Sequence, residues 1–237
     1  MQFDATIKTI LLDIEGTTTP IDFVYQVLFP YARKHLHAYL SEHWDELQSE
    51  RVQLQHEHAN DVQQGSEPPA LDASQLESVV AYLHWLMDRD RKSTPLKSLQ
   101  GKVWDVGYKS GALKSQLFAD VPLAFAAWQA QGKRIAIFSS GSVLAQNLLF
   151  TYTEHGDLSG FISGWFDTNI GAKREAESYH RIAEALECEP RAVAFISDVT
   201  AELEAAQQAG MQTFLSLREN NPPQPNAESF VPLTQFI

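Results

Sequence analysis

The sequence predicts an α/β fold: a doubly wound parallel sheet with a helical segment inserted after its first strand. Three observations lead there. After Gly132, short runs of β-branched and aliphatic residues alternate with helix-patterned stretches, the order of a parallel sheet covered on both faces. A run of the same kind, Thr6 to Leu12, stands alone near the N-terminus. The long stretch between them has helical spacing, which makes it an insertion. The chain therefore divides into a core of residues 1–20 and 121–237 and a helical cap of residues 21–120.

Taken in order, Ile7, Thr9, Ile10, Leu11 and Leu12 make a buried strand that stops at Asp13-Ile14-Glu15-Gly16-Thr17. From Phe23 to Gln55, apolar residues recur at helical spacing (Val24, Val27, Leu28, Tyr31, Leu36, Tyr39, Leu40). Residues 62–70 are polar and contain Gly65, Pro68 and Pro69, a loop. Leu71 to Asp88 is helical, with Val79, Val80, Leu83 and Leu86 on one face, and Pro95 and Gly101 punctuate a third helical stretch. A helix over Val121–Gln131 leads to a strand over Arg134–Phe138, then Ser139-Ser140-Gly141-Ser142 and a helix through Phe150. Phe161–Phe166 is a short strand, Glu175–Leu186 a helix, and Arg191–Ile196 a strand ending at Ser197-Asp198. Ala201–Ala209 is a helix that Gly210 terminates, and Met211–Leu215 is the last strand. The tail from Arg218 holds Pro222, Pro223 and Pro225 and is expected to be loop.

Composition narrows the function. The chain has 237 residues, 44% hydrophobic and 20% charged, an ordinary globular mixture. A net charge of −12, from 18 Lys and Arg against 30 Asp and Glu, argues against a nucleic-acid partner, which needs clustered basic residues. Most of that charge lies between residues 41 and 80, where the only base is Arg51; it is expected to form a solvated face. No apolar run approaches the roughly 20 residues of a membrane span, and the N-terminus has no signal-peptide pattern. Cys188 is the sole cysteine, so neither an intrachain disulfide nor a multi-cysteine metal site is available. A cytoplasmic monomer acting on a small molecule is the expectation, with no membrane partner.

In open parallel sheets, ligands bind at the carboxyl ends of strands. Three such ends carry polar groups here: Asp13 and Glu15, then Ser139 and Ser140, then Asp198 with Glu202 one helical turn on. Lys173 precedes a helix. Singly, each is an ordinary turn, helix cap or surface lysine. Jointly they describe a phosphate pocket. Two neighbouring buried carboxylates, Asp13 and Asp198, repel and call for a cation. Mg²⁺ suits them, being a hard ion held by one or two carboxylates with waters and phosphate. Ser139, the amides of Ser140 and Gly141, and the following helix start make an anion site, to which Lys173 adds a point charge.

These motifs resemble those of the haloacid dehalogenase superfamily. Leu11-Leu12-Asp13-Ile14-Glu15-Gly16-Thr17 is similar to its first motif, Phe138-Ser139-Ser140 to its second, Lys173 to its third, and Phe195-Ile196-Ser197-Asp198 to its fourth. The likeness spans Thr6 to Leu217, with the helical insertion in the place of that superfamily's cap. Glu15, where an Asp is usual, together with Ser139-Ser140-Gly141-Ser142, Phe166 to Lys173 and Gly107-Tyr108-Lys109-Ser110-Gly111, resembles its enolase-phosphatase (acireductone synthase) branch, which serves methionine salvage.

That resemblance implies a Mg²⁺-dependent phosphoric monoester hydrolase. Asp13 is the nucleophile and forms an aspartyl-phosphate that water hydrolyses. The metal is held by the side chains of Asp13 and Asp198 and by Glu15, its backbone carbonyl first and its side chain second. Ser139, the Ser140 amide and Lys173 grip the phosphoryl oxygens. Glu15 is the acid/base, one methylene longer than the usual Asp. The branch's substrate is 2,3-diketo-5-methylthiopentyl 1-phosphate, enolised and then dephosphorylated. For the enolising base Glu15 and Lys109 both stand, and Phe23 or Tyr25 is a candidate for lining the methylthio pocket. Glu202 is either a partner behind the metal ligands or an exposed helix position, the second being the simpler expectation. His35, His37, His56 and His58 are expected to be solvated rather than metal-binding. Rival readings are a phosphatase of another small phosphate ester without enolase activity, a dehalogenase, and a non-catalytic binding module.

Overall fold

The computed structural model describes residues 3–237. Six strands form one parallel sheet in the order β3-β2-β1-β4-β5-β6. The strands are β1 (Thr9–Leu12), β2 (Arg134–Phe138), β3 (Ile162–Phe166), β4 (Val193–Ser197), β5 (Gln212–Ser216) and β6 (Val231–Leu233). The helices are α1 (Ile21–Phe23), α2 (Phe29–Glu42), α3 (Gln48–Gln63), α4 (Leu76–Met87), α5 (Thr94–Lys109), α6 (Val121–Ala130), α7 (Val143–Thr151), α8 (Ala176–Ala185) and α9 (Thr200–Gln208). The chain builds β1, β2 and β3 outward and then returns to the other side of β1 for β4, β5 and β6. The strand order thus reverses between β1 and β4, the place where such sheets open a crevice at their carboxyl ends.

β1 and β4 are buried throughout, which is why they are unbroken apolar runs rather than alternating ones. Leu11, Ala136, Phe138, Val193 and Phe195 pack on one face against Tyr179, Ile182 and Ala183 of α8 and Leu203 and Ala206 of α9. Ile10, Leu12, Ile135 and Ile137 alternate with them toward the other face, all fully buried, where α6 packs on β2.

The chain divides into two compact units, Met1–Val24 with Leu113–Ile237, and Tyr25–Ala112. The boundaries at 20/21 and 120/121 expected from the sequence thus differ from those observed. Hydrogen bonds explain the second boundary. Ser115 N donates to Tyr152 O, Glu154 N to Ser115 O, and Phe118 N to Thr18 O, which ties residues 115–118 to the sheet-bearing unit. In the helical unit, α2 packs on α4 and α5, and α3 on α5. Trp104 Nε1 donates to Leu28 O at 2.8 Å, so Trp104 is a packing residue there.

Three elements differ from expectation. The helix expected over Phe23–Gln55 is broken twice. Pro30 offers no amide to the ladder, and the turn before it widens into a π-helical segment, Val24–Leu28. His43 then leaves helical geometry (φ −111°, ψ 19°) before a 3₁₀ turn, Trp44–Leu47. The helix expected from Leu71 begins only at Leu76, because Asp72 accepts hydrogen bonds from Ser74 N, Ser74 Oγ and Gln75 Nε2 and holds a turn. The tail is not all loop. Val231–Leu233 adds a parallel edge strand beside β5, and Pro232 is tolerated there because an edge strand can spare an amide.

Candidate active site

β1, β2 and β4 end side by side. Leu12 pairs with Ile137 on one side and Ile196 on the other. The next residue on β1 is Asp13, whose amide donates to Ile196 O at 3.0 Å. This register sets Asp13 beside Phe138-Ser139 and beside Ser197-Asp198. All four polar side chains are buried.

Lys173 Nζ lies 2.7 Å from Asp13 Oδ1 and 2.7 Å from Glu202 Oε2. Its backbone is pinned from α8: Tyr179 OH donates to Lys173 O at 2.7 Å, and Ser178 Oγ to Ala172 O at 2.7 Å. Ile14 N also donates to Asp13 Oδ1, at 2.8 Å. Ser197 Oγ lies 3.0 Å from the same Glu202 Oε2 and 3.3 Å from Asp13 Oδ2, the aspartate oxygen that Lys173 leaves open. It carries a single proton for two carboxylates, and the shorter contact favours Glu202.

Three buried carboxylates, Asp13, Asp198 and Glu202, therefore face one ammonium group. Burial opposes the charge on Lys173, but Asp13 and Glu202 outweigh it and hold the ammonium well above its ordinary range, so it stays protonated. Burial, then Asp13 and Glu202, push the Asp198 carboxyl up to about 8 with protein charges alone. Glu202 is also raised, by burial first; Lys173 counters and Asp13 reinforces. With all three carboxyls ionised the cluster sets one positive charge against three negative ones, the balance that a divalent cation would complete.

Around it, Gly16 turns the chain with φ +66°. A Cβ there would stand 2.5 Å from Asp198 Oδ2, so a larger residue would displace that carboxylate. Thr18 Oγ1 donates to Ile14 O. Glu15 is half-buried, and its backbone bridges to that of Thr19. On the β2 side, Ser139 is buried and its Oγ accepts from Gly141 N at 3.1 Å. The Gly141 amide expected in the anion cradle is therefore engaged by Ser139. The start of α7 is likewise occupied: Ser142 Oγ accepts from Ala145 N, and Asp167 Oδ2 from Val143 N. The half-buried Ser140 lies between them.

The structure thus brings together Asp13, Lys173 and Asp198, with Ser139 on the adjoining strand end. It corrects the simpler expectation for Glu202: the side chain is buried and ion-paired, because the first turn of α9 faces back toward Lys173. Lys109 is exposed in the helical unit, 2.7 Å from Asp105 one turn earlier. Phe23 is buried and Tyr25 more than half exposed. His37 pairs with Glu77 at 2.8 Å, and His58 meets Pro69 O at 2.9 Å. Sequence reasoning missed Ser197, Tyr179, Gln146 and Asn221. Gln146 Nε2 donates to both Gly141 O and Phe166 O, bracing the loop after β2. The signal available for Ser197 was a hydroxyl closing an otherwise apolar strand. For Gln146 and Tyr179 it was a polar group on a helix's core face.

A buried aspartate at a strand-order reversal, locked to a lysine and facing a second aspartate, defines a class of hydrolase. A family model for haloacid dehalogenase-like hydrolases matches residues 7–210, and the chain belongs to that family. Within it, the chain is 54% identical over 223 residues to enolase-phosphatase E1 of Synechococcus elongatus, covering 93% of each. It is 46% identical to enolase-phosphatase E1 of Drosophila mojavensis, covering 93% of this chain and 89% of that one. Among solved structures it is similar to the UTR4 protein of Saccharomyces cerevisiae, with TM-score 0.77 and 33% identity over 97% of this chain and 98% of that one. At these identities over nearly whole chains, it is a member of the enolase-phosphatase E1 branch.

Among the described residues, no three His, Cys, Asp or Glu side chains form a metal-holding group. The donor set expected from the sequence, two carboxylates with the Glu15 carbonyl first and the Glu15 side chain second, needs such a group only in its second form. No described helix is long and apolar enough to cross a membrane.

Proposed function

We propose that the protein is a bifunctional enolase-phosphatase of methionine salvage, converting 2,3-diketo-5-methylthiopentyl 1-phosphate to 1,2-dihydroxy-3-keto-5-methylthiopentene and phosphate. The observation that carries this is the buried Asp13–Lys173–Glu202 arrangement beside Asp198, in a chain whose relatives share the whole length of the fold. It acts as a cytoplasmic monomer on a small phosphate ester, without a nucleic-acid or membrane partner.

The excess of buried carboxylate over ammonium fits a hard divalent cation, and we assign Mg²⁺. Asp13, Asp198 and the Glu15 carbonyl would hold it, and bound there it offsets the repulsion between Asp13 and a phosphate dianion. The chain's own groups then do the following. The Asp13 carboxylate attacks phosphorus, the bond from phosphorus to the ester oxygen breaks, and an aspartyl-phosphate forms. Glu15 gives its proton to the leaving oxygen and later takes one from the water that hydrolyses the acyl phosphate. Ser139, the Ser140 amide and Lys173 hold the phosphoryl oxygens, and Lys173 remains charged throughout. Glu15 is also assigned the proton removal of the enolisation; Lys109→Ala tests the alternative, and loss of enolisation in that variant would reassign the base.

The test offers the diketo phosphate to purified protein with Mg²⁺ and follows enol and phosphate separately. Enol formation preceding phosphate release is expected, with both lost on chelation. Phosphate with no enol at any stage would make the protein a phosphatase of another ester. Turnover that survives chelation would remove the metal from the reading.

A further inference from the structure

The turn that follows Asp13 is gripped from the far end of the chain. Gly16 O accepts hydrogen bonds from Ser216 Oγ at 3.0 Å and from Asn221 Nδ2 at 2.9 Å. Arg218 Nε donates to Thr17 O at 3.2 Å, while Arg218 NH1 pairs with Asp120 at 3.0 Å. The guanidinium lies 4.5 Å from the ring centres of both Phe118 and Phe236. The segment from Ser216 to Asn221 is thus a brace behind residues 16 and 17, fixed in its turn to the body of the unit.

Asn221 does something Ser216 and Arg218 do not. Its amide nitrogen also donates to Ser216 O at 3.2 Å. Two carbonyls on one side require the NH₂ group there, which settles the orientation of the side chain and turns Oδ1 the other way. Oδ1 is buried and has no hydrogen-bond partner among the described residues. It converges with Asp198 Oδ2 on one face of Gly16. A Cβ on Gly16 would lie 2.8 Å from Asn221 Oδ1 and 2.5 Å from Asp198 Oδ2. A buried acceptor with no donor is costly, so its retention beside a carboxylate calls for a donor from outside the chain. Once a cation keeps Asp198 ionised, that carboxylate accepts and does not donate, and the donor left for Oδ1 is water polarised by the cation.

We propose that Asn221 is a positioning residue for the metal centre: Nδ2 fixes the Gly16–Thr17 peptide, next along the chain from the Glu15 carbonyl, and Oδ1 accepts a hydrogen bond from a metal-bound water. The proposal rests on the metal-dependent reading of the site but not on the identity of the ester. Groups of this kind, which orient ligands without touching the ion, typically change metal affinity or activity by about 10–100-fold when removed.

The test is Mn²⁺ binding to the metal-free full chain, followed by the loss of the free-ion electron paramagnetic resonance signal, with no substrate present. Asn221→Ala is expected to weaken binding by about tenfold. It should likewise raise the Mg²⁺ concentration for half-maximal turnover, with a smaller change in kcat once metal saturates. Asn221→Asp keeps the acceptor and loses the donor, and should retain more affinity than Asn221→Ala. Ser216→Ala removes the second donor to Gly16 O, leaves Oδ1 in place, and should weaken binding less than Asn221→Ala. Unchanged Mn²⁺ affinity in Asn221→Ala overturns the proposal, as does absence of Mn²⁺ binding by the unmodified protein. Equal losses in Ser216→Ala and Asn221→Ala overturn the acceptor role. Should Asn221→Ala fold poorly, as shown by its metal-free melting curve, the ranking of Asn221→Asp against Ser216→Ala decides. Binding that depends on Asn221 in a protein without activity on the diketo phosphate would keep this inference and discard the assigned substrate.

Discussion

The two units of the chain both bury charge, and they balance it differently. In the helical unit each buried carboxylate is matched. Asp61 accepts from Arg91 at 2.6 Å and from Tyr82 OH at 2.7 Å. Glu50 pairs with Lys102 and accepts from Ser98 Oγ at 2.9 Å. Among the described residues of the sheet-bearing unit, Lys173 alone serves Asp13 and Glu202, and Asp198 has no ammonium or guanidinium partner within ion-pair distance. Matched burial holds helices together, whereas unmatched burial is a site built to receive a charge from outside. Both look alike in composition, since each is a handful of acidic residues and a base.

Substitutions can break that contrast. The largest effect is expected for Asp13→Asn, which should cut phosphate release by at least about four orders of magnitude while melting near the unsubstituted protein. Residual turnover within tenfold would remove Asp13 as nucleophile. Next, Lys173→Met should lower kcat by about 10²–10³, because it removes the ammonium that the proposed mechanism sets on the phosphoryl oxygens. A loss confined to KM would make Lys173 a binding residue only. Asp61→Ala addresses the matched kind. It leaves Arg91 without its partner and should cost about 3 kcal/mol in urea unfolding, with kcat per folded molecule within a few-fold. A loss of kcat as large as that of Lys173→Met would erase the distinction between the units.

The smallest effect is a pH dependence. Burial raises the Glu50 carboxyl, but hydrogen bonds from Lys102 and Ser98 with the Lys102 charge outweigh it and hold the group below its ordinary value of 4.5. The folded chain then binds that proton less readily than the unfolded chain. The pair's contribution is therefore present above that ordinary value and fades as pH falls through the folded one. The stability gap between the protein and Glu50→Gln should shrink from pH 6 to pH 4. A constant gap would assign the contribution to packing.

Much of the fold was legible because it is written in local pattern. Arg134–Phe138 is a strand with the limits its apolar run predicts, and Gly210 follows the helix it was expected to end. Where expectation and structure part, a local hydrogen bond or a missing one is responsible, as at Pro30 and Asp72. The edge strand Val231–Leu233 was illegible because three residues containing a proline carry no periodicity. The site was legible where it follows strands directly, as with Asp13, Ser139 and Asp198. Glu202 was misjudged because its position on a polar helix says nothing of which face turns inward.

Sequence alone was enough to name the class of chemistry, since Asp13, Asp198 and Lys173 stand after strands and before a helix in motifs that resemble those of the haloacid dehalogenase superfamily. It also showed that acidic residues crowd one segment of the chain, though not that the charge left uncompensated lies elsewhere. Only the folded chain decided which side chains close around Asp13. Ser197 reaches it across 184 positions, Ser216 reaches Gly16 across 200, and Asn221 reaches Gly16 across 205. Periodicity reports what a residue's near neighbours do. A hydrogen bond between distant strands depends on register and sheet order, and those are set by the packing of the whole unit rather than by any one stretch of it.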